Sequence, residues 1–216
     1  MKNSCPFCKE LLNRTDNVIK SDRIIAETKS FIVLPTIGGF VDNYLLIVPR
    51  KHINCFGELN NDEWQELDYI IDWQKKINRH YFESSTSMFE HGALLPSNES
   101  GKSIIHAHLH IFPNNITLFN VLSDYDFGVQ RISNITDLTR ICRIYENYLY
   151  YSDVDGKEYV ITHDEGLPSQ FLRKILADSL GISKWNWRKF PYVEKIETCV
   201  HFYRTNSDLA QQLRRE

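Results

Sequence analysis

The chain has 216 residues, 42% of them hydrophobic, which allows one domain with a large extension, or two small domains, around a real core. Its formal net charge is −3, so it lacks the overall basic field that draws nucleic acid or an anionic membrane surface. Five cysteines (Cys5, Cys8, Cys55, Cys142, Cys199) form no disulfide-type framework, no run reaches transmembrane length and Met1 to Cys5 hold no apolar signal core, so a soluble cytoplasmic protein is expected.

Cys5-Pro-Phe-Cys8 comes first. Such a pair is a redox couple, half of a zinc site, or two thiols packed as small hydrophobes. Redox couples usually follow a strand, and only four residues precede this one. A chain terminus frays unless something ties it down, which gives a metal a purpose here. Zinc needs two further ligands. His52, just after a strong strand, is the third candidate and His106 the fourth.

Residues 23–34 read as two short strands with a turn at Lys29-Ser30, residues 35–39 as a loop, and residues 44–48 as a buried strand ended by Pro49. Residues 61–82 give the clearest helix. Asn60 or Asn61 can cap it, Asp62 and Glu63 suit its positive end, and Trp64, Leu67, Ile70, Ile71, Ile77 and Tyr81 form an apolar stripe. Residues 87–92 read as a strand in which His91 faces solvent, followed by a polar loop to Ser100.

In residues 101–113, His106, His108 and His110 stand two apart, with Ala107, Leu109 and Ile111 between and after them. Period-two alternation predicts a strand. The three imidazoles then leave one face, rooted about 7 Å apart, while the apolar residues enter a core behind it.

His106-Ala-His108-Leu-His110-Ile-Phe112 resembles the motif of the histidine triad (HIT) family of nucleotide hydrolases and transferases, with Gly101 and Ser103 at positions where that family keeps a glycine and a phosphate-contacting hydroxyl. The resemblance implies an α+β fold, a five-stranded, mostly antiparallel sheet with the long helix packed on it. It implies a nucleotide-conjugate substrate such as a dinucleoside polyphosphate or nucleoside phosphoramidate. His108 would attack the α-phosphorus through a nucleotidyl-histidine intermediate, with the carbonyl of His110 accepting the proton of its other ring nitrogen. The His110 ring and Ser103 would contact phosphate. Phe31, Leu34 and Ile37 would line the base pocket, Thr36 would sit near the ribose, and Glu90, Asn98, Gly101 and Lys102 near the phosphates. Thr36 stands where the family usually has Asp or Asn. Cys5, Cys8, His52 and His106 would hold a structural zinc, and two copies would pair through the long helix. Transfer or phosphorolysis by the same mechanism is the alternative, as is a non-catalytic nucleotide-binding adaptor.

That motif ends at Pro113, so residues 1–120 are read as the catalytic domain and residues 121–216 as an α+β extension. In the extension, helical spacing runs over 133–147 and 168–180, the latter stopped by Gly181. Two strands flank Asp155-Gly156, a hairpin turn, and residues 206–216 suggest a short surface helix. Arg173, Lys174 and Arg188 read as ordinary surface charge, the alternative being contact with the far phosphates of a long substrate.

Overall fold

A computed structural model describes residues 5–13, 22–94, 106–124, 128–145, 147–162 and 170–213. In chain order the elements are α1 (Pro6–Asn13), β1 (Ala26–Glu27), β2 (Phe31–Pro35), β3 (Leu45–Pro49), α2 (Asn61–Tyr81), β4 (Thr86–Ala93), β5 (Leu109–Pro113), α3 (Phe119–Ser123), β6 (Val129–Ile132), α4 (Leu138–Tyr145), β7 (Asn147–Ser152), β8 (Glu158–Ile161), α5 (Phe171–Ser179), α6 (Val193–Thr205) and α7 (Ser207–Gln212). Among the described residues, no helix is long and apolar enough to cross a membrane.

All eight strands join one antiparallel sheet in the order β1-β2-β3-β5-β4-β7-β8-β6. Five of them are the expected sheet. The other three come from the C-terminal region, and β7 pairs with β4 along six residue pairs, from Met88↔Ser152 to Ala93↔Asn147. The sheet therefore crosses residue 120 without a break.

Register assigns the two faces. Leu46 and Phe89 both lie opposite His110, and Leu45 and Met88 opposite Ile111. Side chains alternate along a strand, so Phe31, Val33, Leu45, Ile47, Leu109 and Ile111 enter one core, capped by Leu67, Ile70 and Ile71 of α2. The opposite face carries His110, Leu46, Phe89 and Phe112. It is covered by Cys5 and Phe7 at one end and by Phe171, Leu172 and Ile175 of α5 at the other.

The long helix begins as expected. The Asn60 side chain accepts from Glu63 N at 3.0 Å, and the Glu63 carboxylate accepts from Asn60 N at 2.8 Å. This reciprocal pair satisfies two helix-end donors. The C-terminal helices then lie against α2: Trp73 Nε1 donates to the Leu209 carbonyl at 2.8 Å, and Trp73 meets Tyr203 ring to ring. Beneath them runs a buried amide network. Asn43 Nδ2 and Gln74 Nε2 each donate to Asn78 Oδ1 at 2.8 Å, Asn78 Nδ2 donates to Thr86 Oγ1 at 2.9 Å, and the Tyr203 hydroxyl lies 3.0 Å from acceptors on both Asn43 and Gln74.

Loop 36–39 is held down by the C-terminal region. Gly38 N donates to the Pro191 carbonyl at 2.7 Å, and Gly38 adopts a left-handed φ of +72°. A β-carbon there would stand 2.4 Å from Trp187 Cβ and 2.6 Å from its Cα. Strain and overlap act together, so Gly38→Ala should cost about 2–4 kcal/mol in chemical denaturation. An unchanged midpoint would show that this contact does not seat the loop.

Candidate functional site

Four side chains expected to ligate a metal do converge. The ligand atoms of Cys5, Cys8, His52 and His106 all lie within 4.8 Å of one another. Cys5 Sγ is 3.4 Å from His106 Nδ1, Cys8 Sγ is 3.3 Å from His52 Nδ1, and Cys8 Sγ is 3.6 Å from His106 Nδ1. A tetrahedral ion with ordinary zinc–sulfur and zinc–nitrogen bonds has S···N edges of about 3.5 Å. The set therefore could hold a metal ion. His106 Nε2–H donates to the Pro49 carbonyl at 2.8 Å, which leaves Nδ1 unprotonated and aimed at the thiols. Burial pushes the His106 pKa down to about 4, so the ring is neutral, as a ligand must be.

His108 is set up the opposite way. Its Nδ1–H donates to the His106 carbonyl at 2.8 Å, so Nε2 carries the lone pair. The expected acceptor was the His110 carbonyl. The reason for the difference is local: regular pairing starts only at Leu109, and residues 106–108 form a bend and irregular chain in place of the strand expected there. Even so, the alternation of faces holds, with Ala107 and Leu109 in the core beneath α2. The His108 and His110 ring centroids are 5.1 Å apart. Phe7 sits 5.3 Å from His108, Phe89 stacks on His110 at 4.4 Å, and Tyr44 meets His110 edge-on at 5.6 Å. Burial, first of all, lowers the pKa of both rings, reinforced at His108 by His91 and Arg173 and at His110 by His108 and Arg173. Two neutral imidazoles result.

Comparison with known proteins matches residues 1–118 to the family model described as "Protein similar to CwfJ C-terminal". The chain belongs to this family. No curated protein matches it. Solved structures similar to it include a hypothetical protein from Leishmania major, with 17% identity over 54% of this chain and 77% of that one and a TM-score of 0.43. A Hit-like protein involved in cell-cycle regulation from Bartonella henselae aligns with 16% identity over 52% and 81%, TM-score 0.41. A Zn-bound histidine triad family protein from Mycobacterium smegmatis aligns with 14% identity over 67% and 94%, TM-score 0.42.

The other expected site residues of this CwfJ-like chain do not form one wall. Phe31 lies on the α2 face, fully buried and stacked on Phe56. Leu34 is on the histidine face but sealed against Cys5 and Phe7. These two cannot line a common base pocket, because an odd spacing along β2 sends them to opposite sides of the sheet. Ile37 is half-buried against the α2-side core, and Thr36 lines a small recess closed by Asn43, Lys195 and Cys199. Asn98, Gly101, Lys102 and Ser103 lie outside the described residues.

Glu90 needs the plainest correction. It follows Phe89, so it faces away from the histidines, into the α2-side core. There its carboxyl accepts from the Tyr148 hydroxyl at 2.6 Å and from Phe56 N at 2.8 Å. It ties β4 to β7 and cannot touch a phosphate on the other face. His91, one residue on, is exposed, as expected. Arg173, read from the sequence as surface charge, is 4% exposed and belongs to the site's surroundings. Only its place in an apolar stripe, between Leu172 and Ile175, could have hinted at this.

Two measurements follow for the CwfJ-like chain. Elemental analysis should find one divalent ion per chain, and Cys8→Ser should lose it together with several degrees of melting temperature. Full stability without bound metal would dismiss the centre. Burial also pushes the Glu90 pKa up to about 7, from an ordinary 4.5. A raised carboxyl favours the protonated fold, so the stability it permits is fully present below about pH 4.5 and is lost as pH rises through 7. Glu158 is shifted likewise. Glu90→Gln should therefore gain on wild type across that window, by roughly 3 kcal/mol at the upper bound. A difference that does not vary with pH would contradict this.

Proposed function

We propose that the chain is a hydrolase of nucleotide conjugates (a dinucleoside polyphosphate, a nucleoside phosphoramidate or a similar compound) that works by transient attachment of the nucleotidyl group to His108. One observation carries this reading: the Nδ1–H···O=C bond from His108 to His106, which fixes the tautomer with Nε2 unprotonated. Burial keeps that ring uncharged, and a neutral imidazole is the form that can act as a nucleophile.

The chemistry then runs in two displacements. The Nε2 lone pair attacks the α-phosphorus, and the bond from phosphorus to the leaving group breaks in line, taking its electron pair with it. His108 keeps its Nδ1 proton, so the adduct carries a positive ring held against the His106 carbonyl dipole. Ser103 is assigned as donor to the leaving group, and His110 as a contact to the phosphoryl oxygens. Water next adds to phosphorus, the N–P bond breaks, its electron pair returns to Nε2, and the water's proton is released to solvent.

Zinc is the ion assigned to Cys5, Cys8, His52 and His106, since two thiolates and two imidazoles suit it. Four protein ligands leave no open coordination position, so its task is to pin α1 and the chain leading to His108. His106 is thereby spent on the metal and not on the substrate.

The test is mass spectrometry of protein quenched after mixing with AMP and GMP conjugates. Wild type should gain a nucleotidyl mass, and His108→Ala should show none, with turnover reduced on the order of a thousandfold or more. Turnover at the wild-type rate in that variant would refute the assignment. Faster product formation with phosphate than with water would indicate transfer, and nucleotide binding without any adduct would indicate an adaptor.

A further inference from the structure

The histidine face carries a cationic group that the displacement chemistry leaves unused. Arg173 projects from the first turn of α5 and is 4% exposed. Its neighbours Phe171, Leu172, Ile175 and Leu176 anchor the helix in the core on that face. The guanidinium sits over the Phe40 and Tyr44 rings, 5.2 Å and 5.3 Å from their centroids. Nη2 donates to the carbonyls of Gly38 and Trp185. Those carbonyls absorb two donations but no charge. Among the described residues no carboxylate pairs with Arg173, and its Nε has no hydrogen-bond partner.

Some of the unmet groups lie together: His110 Nδ1 is also buried without a partner, and the Tyr44 hydroxyl has only the Arg173 guanidinium beside it. Tyr44 bridges them, lying under the guanidinium on one side and meeting the His110 ring at 5.6 Å on the other. His110 in turn stands 5.1 Å from His108. A buried cation without a counter-ion is costly, and so is each buried polar atom left unpaired. A fold that keeps all of them side by side suits a ligand that brings negative charge and several acceptor oxygens. Arginine's fork matches phosphate in this respect.

We propose that Arg173 is a phosphate-binding residue of the histidine site, contributed by the C-terminal region, with Tyr44 and His110 completing its contacts to one anionic group. The identity of the anion as a substrate phosphate rests on the function proposed above; the vacancy in the hydrogen bonding does not. The C-terminal region is then part of the binding apparatus, holding the phosphate while His108 attacks.

The experiment titrates the full chain with inorganic phosphate, following the Arg173 Nε–H resonance by ¹H–¹⁵N NMR and affinity by ³¹P line broadening. The resonance is assigned by its loss in Arg173→Lys. In wild type it should move saturably. Phosphate affinity should fall about tenfold to a hundredfold in Arg173→Met, and less in Arg173→Lys, which keeps the charge but not the fork. A resonance unmoved by phosphate overturns the proposal, as does wild-type affinity in either variant. Loss of stability in both variants with phosphate affinity intact would reduce Arg173 to a clamp on Gly38, which also overturns it. Should Arg173→Met not fold, the wild-type resonance and the lysine variant decide. None of these readouts needs an adduct on His108. Phosphate binding that depends on Arg173 with no adduct formed would defeat the enzymatic reading alone, and an adduct with indifferent variants would defeat this one alone.

Discussion

Strand β5 pairs on one edge with β3 and on the other with β4, placing His110 between Leu46 and Phe89. Everything else about the site depends on that register. A slip of one residue would exchange the faces, sending the imidazoles into the apolar core under α2 and Leu109 and Ile111 out beneath α1 and α5. The penalty is steep on both sides, because Leu109 and Ile111 are fully buried and unpaired imidazoles are poorly solvated in an apolar core. The hydrophobic effect thus aligns the histidines as a by-product of sealing the core.

Within that alignment the first two histidines hold opposite tautomers. His106 donates its Nε2–H to the Pro49 carbonyl and offers Nδ1 to the thiols; His108 donates its Nδ1–H to the His106 carbonyl and offers Nε2. Each assignment is made by a backbone carbonyl, which cannot change its own protonation state. The backbone therefore separates a ring whose open nitrogen faces the two thiols from a ring whose open nitrogen is Nε2, although they stand two residues apart. Phe7, packed on both rings, links the N-terminal helix to the same arrangement.

The C-terminal region is fastened to this core by independent means. β7 extends the sheet from β4, Glu90 and Tyr148 join the two strands from below, and α6 shares a buried amide network with α2 and the loop before β3. On the histidine face α5 supplies apolar cover and the buried guanidinium. A segment that merely followed a finished domain would bury neither its charge nor the Tyr203 hydroxyl against it. Gly92 shows the same intimacy, since a β-carbon there would overlap the Tyr148 ring at 2.2 Å.

Local chemistry was enough to read α2 with a cap at Asn60 or Asn61, the β2 and β3 strands and the hairpin at Gly156, because capping, alternation and turn residues act over a few positions; Cys5, Cys8, His52 and His106 were candidate ligands through the resemblance of the motif. The sequence also marked His108 as the middle member of its motif. Tertiary structure alone decided which carbonyl holds its proton, since that depends on a departure from regular strand geometry at residues 106–108. It alone decided which of Phe31 and Leu34 shares the histidine face and that Glu90 turns inward, because the choice of face is set by register with strands far away in the chain. Arg173 is the sharpest instance. Its apolar neighbours are only a hint until α5, more than fifty residues beyond β5, is laid over the histidines.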